Sequence, residues 1–366
     1  MDKHRKICII QMEAVHEEII PSIIHALNAL FIKPVVYINA DCRTKRGDIF
    51  QLTGNIEADV KYVPIKGKQD WRDLEEQIRS QRYDACIFST YQRKGILDFS
   101  LRLGCPVYGV VHNVELFIEA FLTSAHAKSR LEEIQGLITL SKHVRDRLVH
   151  EFMYASTRSL RSTWIKPYFW LDQKVESDEE LAEKPRTFTI PGGVNFANRD
   201  YQGLVSAIQS LSLGHDEAHF YVAGGGRDRD PLAKLLDETK LSAHFSFAKS
   251  NELGWVEYRD YYSCISRSDY LLPLTANNSY LSTKITSAIP TSIGFCKPSL
   301  ISREYGQLYG IPAVFYQNGD LKAGLRDSLN SDYETYKKLS QSLRVLLESE
   351  LERNSSALSE IMMSSV

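Results

Sequence analysis

Residues 187–211 read TFTIPGGVNFANRDYQGLVSAIQSL, and this stretch decides the fold. Thr187–Ile190 is a short β-branched and aromatic run, which predicts a strand. Pro191-Gly192-Gly193 interrupts it, and Tyr201–Leu211 then follows a helical pattern. The next unit repeats the order: HFYVAGGGRDRDPLAKLL (219–236) is a strand, a run of three glycines and the start of a helix. Two consecutive strand–turn–helix units predict a parallel sheet with helices on its faces.

Reading outward gives more of the same. Toward the C-terminus, strands are expected at 245–247, 270–272, 299–301 and 313–316. Helices are expected at 231–241, 257–266, 279–293, 321–329 and 333–351. Toward the N-terminus, Ile7–Ile10 reads as a buried strand, followed by a helix over 17–30 with Ile19, Ile20, Ile23, Ile24 and Leu27 at helical spacing. Strands at 35–38, 61–65, 83–88, 107–111 and 136–141 alternate with helices at 71–80, 114–134 and 142–152. Between the two series, DQKVESDEELAEKP (172–185) is acidic and poor in apolar residues, as a linker is. The expected class is α/β: one domain over 1–171, a second over 186–332, and a crossover helix and tail over 333–366. A chain of 366 residues fits two domains.

Composition narrows the function classes. With 43% hydrophobic and 25% charged residues the chain is neither disordered nor fibrous, and a net charge of -2 argues against a protein that coats nucleic acid. Six scattered cysteines form no zinc-spaced set and read as reduced thiols of a cytoplasmic protein. No run reaches the ~20 apolar residues of a membrane span, and the N-terminal apolar run is too short for an export signal. The first 170 residues hold 24 basic and 20 acidic side chains, a mild excess suited to an anionic acceptor or peripheral membrane contact. Arg158, Arg161 and Lys166 among Trp164, Tyr168, Phe169 and Trp170 suit a membrane interface or a glycan. A final strand with a packed hinge accounts for them equally.

In open parallel sheets, ligands bind beyond the carboxyl ends of the strands. Gly192, Gly193, Gly224 and Gly225 stand at two such ends and let backbone N–H groups approach a phosphate. Strand 270–272 is followed by PLTANNSYLSTK, with Asn278 or Ser279 as the expected N-cap and Lys284 in the first turns of the helix. Free N–H groups, hydroxyls and one ammonium there suit a diphosphate. Asp228 and Asp230 have metal-ligand spacing but also suit a polar helix start with Pro231 in its first turn; no metal is expected. His112 ends the strand 107–111, and Ser141 stands where it would cap the helix 142–152.

The order of these segments resembles the donor domain of GT-B-fold glycosyltransferases, in particular the family-4-like group. The resemblance rests on the two stretches quoted above and on residues 245–274, where a helix precedes a strand bounded by Asp269 and Pro273. It rests also on SYLSTKITSAIPTSIGFCKPSLIS (279–302). The tyrosine and lysine opening that last stretch also resemble bacterial adhesin-modifying glucosyltransferases. VYGVVHNVELF (107–117) and GLITLSKHVRDRL (136–148) carry the likeness more loosely into the first half.

The resemblance implies two Rossmann-like domains facing across a cleft, with the C-terminal helix packing back on the first. It implies a sugar moved from a nucleotide-diphosphate donor, a UDP-sugar foremost, to a glycan, lipid-linked or protein acceptor in bacterial polysaccharide or glycoconjugate synthesis. It needs no cofactor beyond the co-substrate. His112 is the expected catalytic contact, with Glu115 and Glu119 in reserve as bases. Gly192, Gly193, Gly224, Gly225, Ser282, Thr283 and Lys284 are expected on the diphosphate. Arg199, Arg227, Asn278, Ser279 and Tyr280 are further donor contacts. The chain departs from the family in three places: no acidic residue lies from Leu271 to Ser302, Gly-Arg-Leu is Gly192-Gly193-Val194, and the lysine before glycine is Gln202. Two alternatives use the same fold: a non-catalytic subunit that binds a partner enzyme, and a nucleotide-sugar epimerase.

Overall fold

The computed structural model describes residues 5–54, 56–155, 161–169, 185–317 and 319–363. Except for Pro185, the expected linker 172–185 lies outside the described residues, as do Arg158 and Trp170. There are two parallel sheets. The first runs in the order β3-β2-β1-β4-β5-β6-β7: β1 (Ile7–Gln11), β2 (Val35–Asn39), β3 (Asp59–Val63), β4 (Ala85–Phe88), β5 (Val107–Val111), β6 (Gly136–Thr139) and β7 (Ser162–Trp164). The second runs β10-β9-β8-β11-β12-β13: β8 (Arg186–Ile190), β9 (Ala218–Val222), β10 (Phe245–Phe247), β11 (Tyr270–Leu271), β12 (Ser299–Ser302) and β13 (Ala313–Tyr316). Both orders reverse once, between β1 and β4 and between β8 and β11. Such a switch point opens a crevice at the carboxyl ends of the strands.

The inner strands β1, β4, β5 and β6 are buried along their whole length because both faces of the sheet are covered. Cys8 and Ile10 pack in one core while Ile7 and Ile9 pack in the other, as a period of two requires. In the second sheet Phe188 and Ile190 enter the core, and the buried Thr189 between them donates through Oγ1 to the Cys264 carbonyl at 2.9 Å.

Three expected helices differ. The helix over 114–134 is broken: a single turn (Val114–Phe117), a π-helical turn (Ile118–Leu122), then Ala125–Leu131, which Ser124 caps. The helix over 279–293 does not form as one element. Asn278–Leu281 is a 3₁₀ turn, 282–287 is irregular, and a helix restarts at Ala288–Gly294. Pro290 supplies a reason: deep inside a helix begun at 279 it would break a hydrogen bond, whereas in the first turn of one begun at 288 its missing N–H costs nothing. The C-terminal helix runs Tyr333–Met363, past the expected end at Leu351.

That helix packs back on the first sheet. Leu358 and Ile361 enter its core. Asn354 bonds the Lys166 backbone at both N–H and C=O (3.0 and 2.7 Å), and Lys166 pairs with Glu350 at 2.5 Å. The guanidinium of Arg353 lies 3.3 Å from the Trp164 ring centre. Phe169 stacks on Tyr262 at 4.0 Å. The described part of the aromatic–basic segment is therefore a strand and a packed hinge. Among the described residues, no helix is long and apolar enough to cross a membrane.

Candidate functional site

The two switch points face each other across a cleft of about 700 Å³. On the second-lobe side stand Gly192, Gly193, Gly224, Gly225 and Arg227, with Trp255, Tyr258 and Tyr261 beyond them. On the first-lobe side stand His16, Glu18 and Arg46. A neighbouring cavity of about 350 Å³ is lined by His112, Arg199, Tyr280 and Lys284. His16, Glu18, Tyr262, Ser287 and Thr291 line both, so the two spaces are contiguous.

The glycine turns are held backbone to backbone. A Cβ on Gly224 would lie 2.0 Å from the Gly192 carbonyl oxygen, and one on Gly226 2.5 Å from that of Val194. Val194 N–H donates to Gly225 O at 2.8 Å. Gly192 has φ +81°, a left-handed conformation that favours glycine. Its N–H already donates to the Tyr261 hydroxyl at 3.0 Å. The buried Arg199 guanidinium donates to the carbonyls of Gly193 (3.2 Å) and Pro273, tying the ends of β8 and β11 together while it lines the smaller cavity. Arg227 stands exposed at the cleft rim, 3.6 Å from Asp228. Asp228 accepts from Phe196 N–H at 2.8 Å, beside a helix start in which Asp230 and Pro231 occupy the first turn.

The expected diphosphate donors at 282–284 are not free. The N–H groups of Ser282, Thr283 and Lys284 all point to the Ser279 carbonyl, at 3.2, 2.9 and 3.1 Å. Asn277, not Asn278 or Ser279, caps the turn, accepting from Ser279 N–H at 2.9 Å. Ser282 and Thr283 line neither cleft cavity, and Asn278 lines a separate one. Lys284 does reach the smaller cavity, with Nζ 4.6 Å from the Tyr280 ring centre; burial pushes its pKa down and Glu115 pulls it back only in part. The same loop joins the lobes: Val114 N–H donates to Thr283 O at 2.9 Å, and Asn113 and Lys284 form an isolated bridge.

His112 is buried, with Nε2 2.7 Å from the Ser89 carbonyl. A carbonyl only accepts, so Nε2 carries the proton and Nδ1 is the bare nitrogen. Burial, and then the neighbouring His16, lower its pKa to about 3. Ser141 acts at the start of the helix Lys142–Ala155, its Oγ 3.5 Å from Val144 N.

The sequence reading missed the first-lobe wall. His16, after β1, adopts a left-handed φ of 70°, rare for a side-chain-bearing residue, and its ring packs against His112 with centres 4.4 Å apart and planes tilted by 31°. Its Nδ1 is 3.6 Å from Glu18. Burial lowers the His16 pKa, but Glu18, with help from Glu13 and Glu17, outweighs it and the net shift is upward. For Glu18, burial pushes up, yet His16 and Arg46 bring the carboxyl down to about 2. Tyr258 donates to Glu18 at 3.4 Å, and Arg46 lies 3.5 Å from the Tyr258 hydroxyl and 5.0 Å from the Trp255 ring centre. No glycine, motif or periodicity marks this wall. Its only sequence signal is the pair of carboxylates, Glu17 and Glu18, beside a histidine just after a strand.

No family model and no curated protein matches this sequence. Solved structures do match. HepE of Anabaena, in complex with UDP and glucose, superposes with a TM-score of 0.67 at 12% identity, covering 99% of this chain and 100% of that one. A glycosyltransferase of Rickettsia africae gives 0.63 at 12% identity over 100% of both chains. The pneumococcal O-GlcNAc transferase GtfA, in complex with UDP and GlcNAc, gives 0.55 at 10% identity over 99% and 97%. Likeness at this identity speaks for architecture. With two parallel sheets, facing switch points and a C-terminal helix returning to the first lobe, the chain has the GT-B fold of these glycosyltransferases.

Proposed function

We propose that the protein is a glycosyltransferase that takes its sugar from a nucleotide-diphosphate donor, with UDP foremost, and passes it to a hydroxyl of a glycan or glycoconjugate. The observation that carries this reading is the contiguous pair of cavities at the two switch points, with glycine turns on one wall and a histidine–carboxylate pair on the other. The nucleoside occupies the larger cleft beside Trp255. Its diphosphate points toward the smaller cavity, with Arg46 on the larger side of the shared wall and Arg199 and Lys284 on the smaller side to supply positive charge. In the reaction the bond from the anomeric carbon to the diphosphate oxygen breaks, and the electron pair leaves with the nucleotide. The acceptor oxygen bonds to that carbon and loses its proton. Groups already aimed at the leaving diphosphate lower the barrier without reorganising.

We assign the base to His16 held by Glu18. Its raised pKa makes it the better proton acceptor, whereas His112, lowered to about 3, is a weak one at neutral pH. His112 remains as a neutral contact in the sugar cavity. Calorimetry with UDP-, GDP- and CMP-sugars tests the reading. Binding by at least one, weakened about tenfold in Lys284→Ala, a loss of roughly 1.4 kcal/mol, is the expected result. A full panel without binding removes the donor site and leaves a non-catalytic subunit.

A further inference from the structure

A third cavity, of about 550 Å³, lies wholly in the second lobe and shares no lining residue with the two cleft cavities. Its wall toward the cleft is a backbone partition. Arg199 and Thr275 form an isolated bridge, Asp200 N–H donates to Leu274 O at 2.9 Å, and Ala276 N–H donates to Asn198 O at 3.0 Å. Arg199 faces the cleft side and Asp200 this one.

We propose that this cavity binds a segment of neutral oligosaccharide. Three carboxylates line it (Asp200, Glu304 and Asp320) against one ammonium, Lys322, which disfavours phosphates and nucleotides. Asp200 and Asp320 each use Oδ1 to cap a helix, accepting from Gly203 N (2.8 Å) and Ala323 N (3.1 Å), and among the described residues neither Oδ2 takes a hydrogen bond, so each can accept from a ligand hydroxyl. Bonds from hydroxyls to carboxylates are the strong, charge-assisted kind. Ser206 and Ser210, one helical turn apart, add exposed hydroxyls. The half-buried Tyr316 ring offers an apolar face to the C–H side of a sugar.

An independent sign comes from Ser302, in the cavity floor at the end of β12. It is 4% exposed, and among the described residues its Oγ has no hydrogen-bond partner. It stands at a helix N-cap position yet makes no cap bond. A serine there normally uses its hydroxyl for the cap, and a buried hydroxyl left without a partner is costly. A ligand hydroxyl satisfies it.

Carbohydrate binding in this cavity does not depend on a nucleotide in the cleft, since the two share no lining residue. The test uses the full chain with maltohexaose, cellohexaose and chitohexaose, by saturation-transfer NMR and calorimetry, with and without saturating UDP. At least one should bind with a dissociation constant of about 1 mM, unaffected by UDP or by inorganic pyrophosphate. Ser206→Trp and Ser210→Trp, both on the exposed side of one helix, should each weaken it at least tenfold with the thermal midpoint unchanged. The idea is overturned if no oligosaccharide binds, if UDP displaces it, or if binding survives both tryptophans.

Discussion

The two walls of the cleft are built by opposite means. On the second lobe the rim is backbone: glycines at 192–193 and 224–226 press against each other so closely that a Cβ on Gly224 has no room. On the first lobe the turn after β1 runs from Met12 to His16 without a glycine. It presents side chains instead, in His16, Glu18 and, from the helix Ala40–Arg46, Arg46. One wall supplies shape and the other supplies titratable groups. Where the shape wall is locked, as at Gly224, a change should therefore fail in folding, and changes to the chemical wall should fail in turnover.

The largest expected effect belongs to the chemical wall. His16→Ala should lower transfer about a thousandfold, within the range that loss of a general base produces, while sugar-nucleotide affinity stays within about twofold. Activity in the wild type should rise with pH through an apparent pKa above 6.5, because His16 must be neutral to accept a proton and Glu18 holds it charged longer. Glu18→Gln should move that limb toward lower pH. A limb that stays in place in Glu18→Gln would take the base role away from the pair.

The shape wall comes next. Gly224→Ala should cost about 3 kcal/mol in urea unfolding, since the new methyl meets a carbonyl oxygen of the neighbouring turn at 2.0 Å and neither backbone is free to give. A loss below about 1 kcal/mol would show that the two turns are not locked together.

His112 stands between these two cases. Its pKa, lowered to about 3, means that the folded state resists protonation while the unfolded chain takes up a proton near 6.5. Its contribution to stability is complete above pH 6.5 and is lost as pH falls, by about 2 kcal/mol at pH 5. His16 works in the other direction, so the comparison is made between wild type and His112→Gln, which keeps an N–H for the Ser89 carbonyl. Between pH 7 and pH 5 the wild type should lose about 2 kcal/mol more than the variant. Equal losses would mean that His112 titrates normally.

How much of this was legible in the sequence follows the same division. Glycine turns after apolar runs announce themselves, so the second-lobe rim and its first strands could be read from residues 187–226, and the first sheet from the apolar runs between 7 and 141. The loop 279–287 was misread because Asn278, Ser279 and a helical spacing of Leu281, Ile285 and Ala288 imitate one helix. Only the placement of Pro290, and the bond from Val114 N–H to Thr283 O arriving from the other lobe, decide otherwise. The His16–Glu18 pair was not legible. Its meaning comes from Arg46, Tyr258 and His112, brought beside it from distant parts of the chain.

Gly193 offers the smallest effect on stability and the finest division between shape and chemistry. A Cβ there meets Gly225 O at 3.4 Å, and its φ is not left-handed, so alanine fits. Unfolding free energy should change by less than about 0.5 kcal/mol, helped by the lower entropy of the unfolded chain. The neighbouring Gly192 N–H is taken by Tyr261, which leaves Gly193 as the freer amide of the turn for a phosphate. UDP binding should then weaken about fivefold in Gly193→Ala, because the methyl holds the phosphate off the backbone. Wild-type affinity in that variant would mean that the turn shapes the cleft without touching the donor, leaving the diphosphate to Arg46, Arg199 and Lys284.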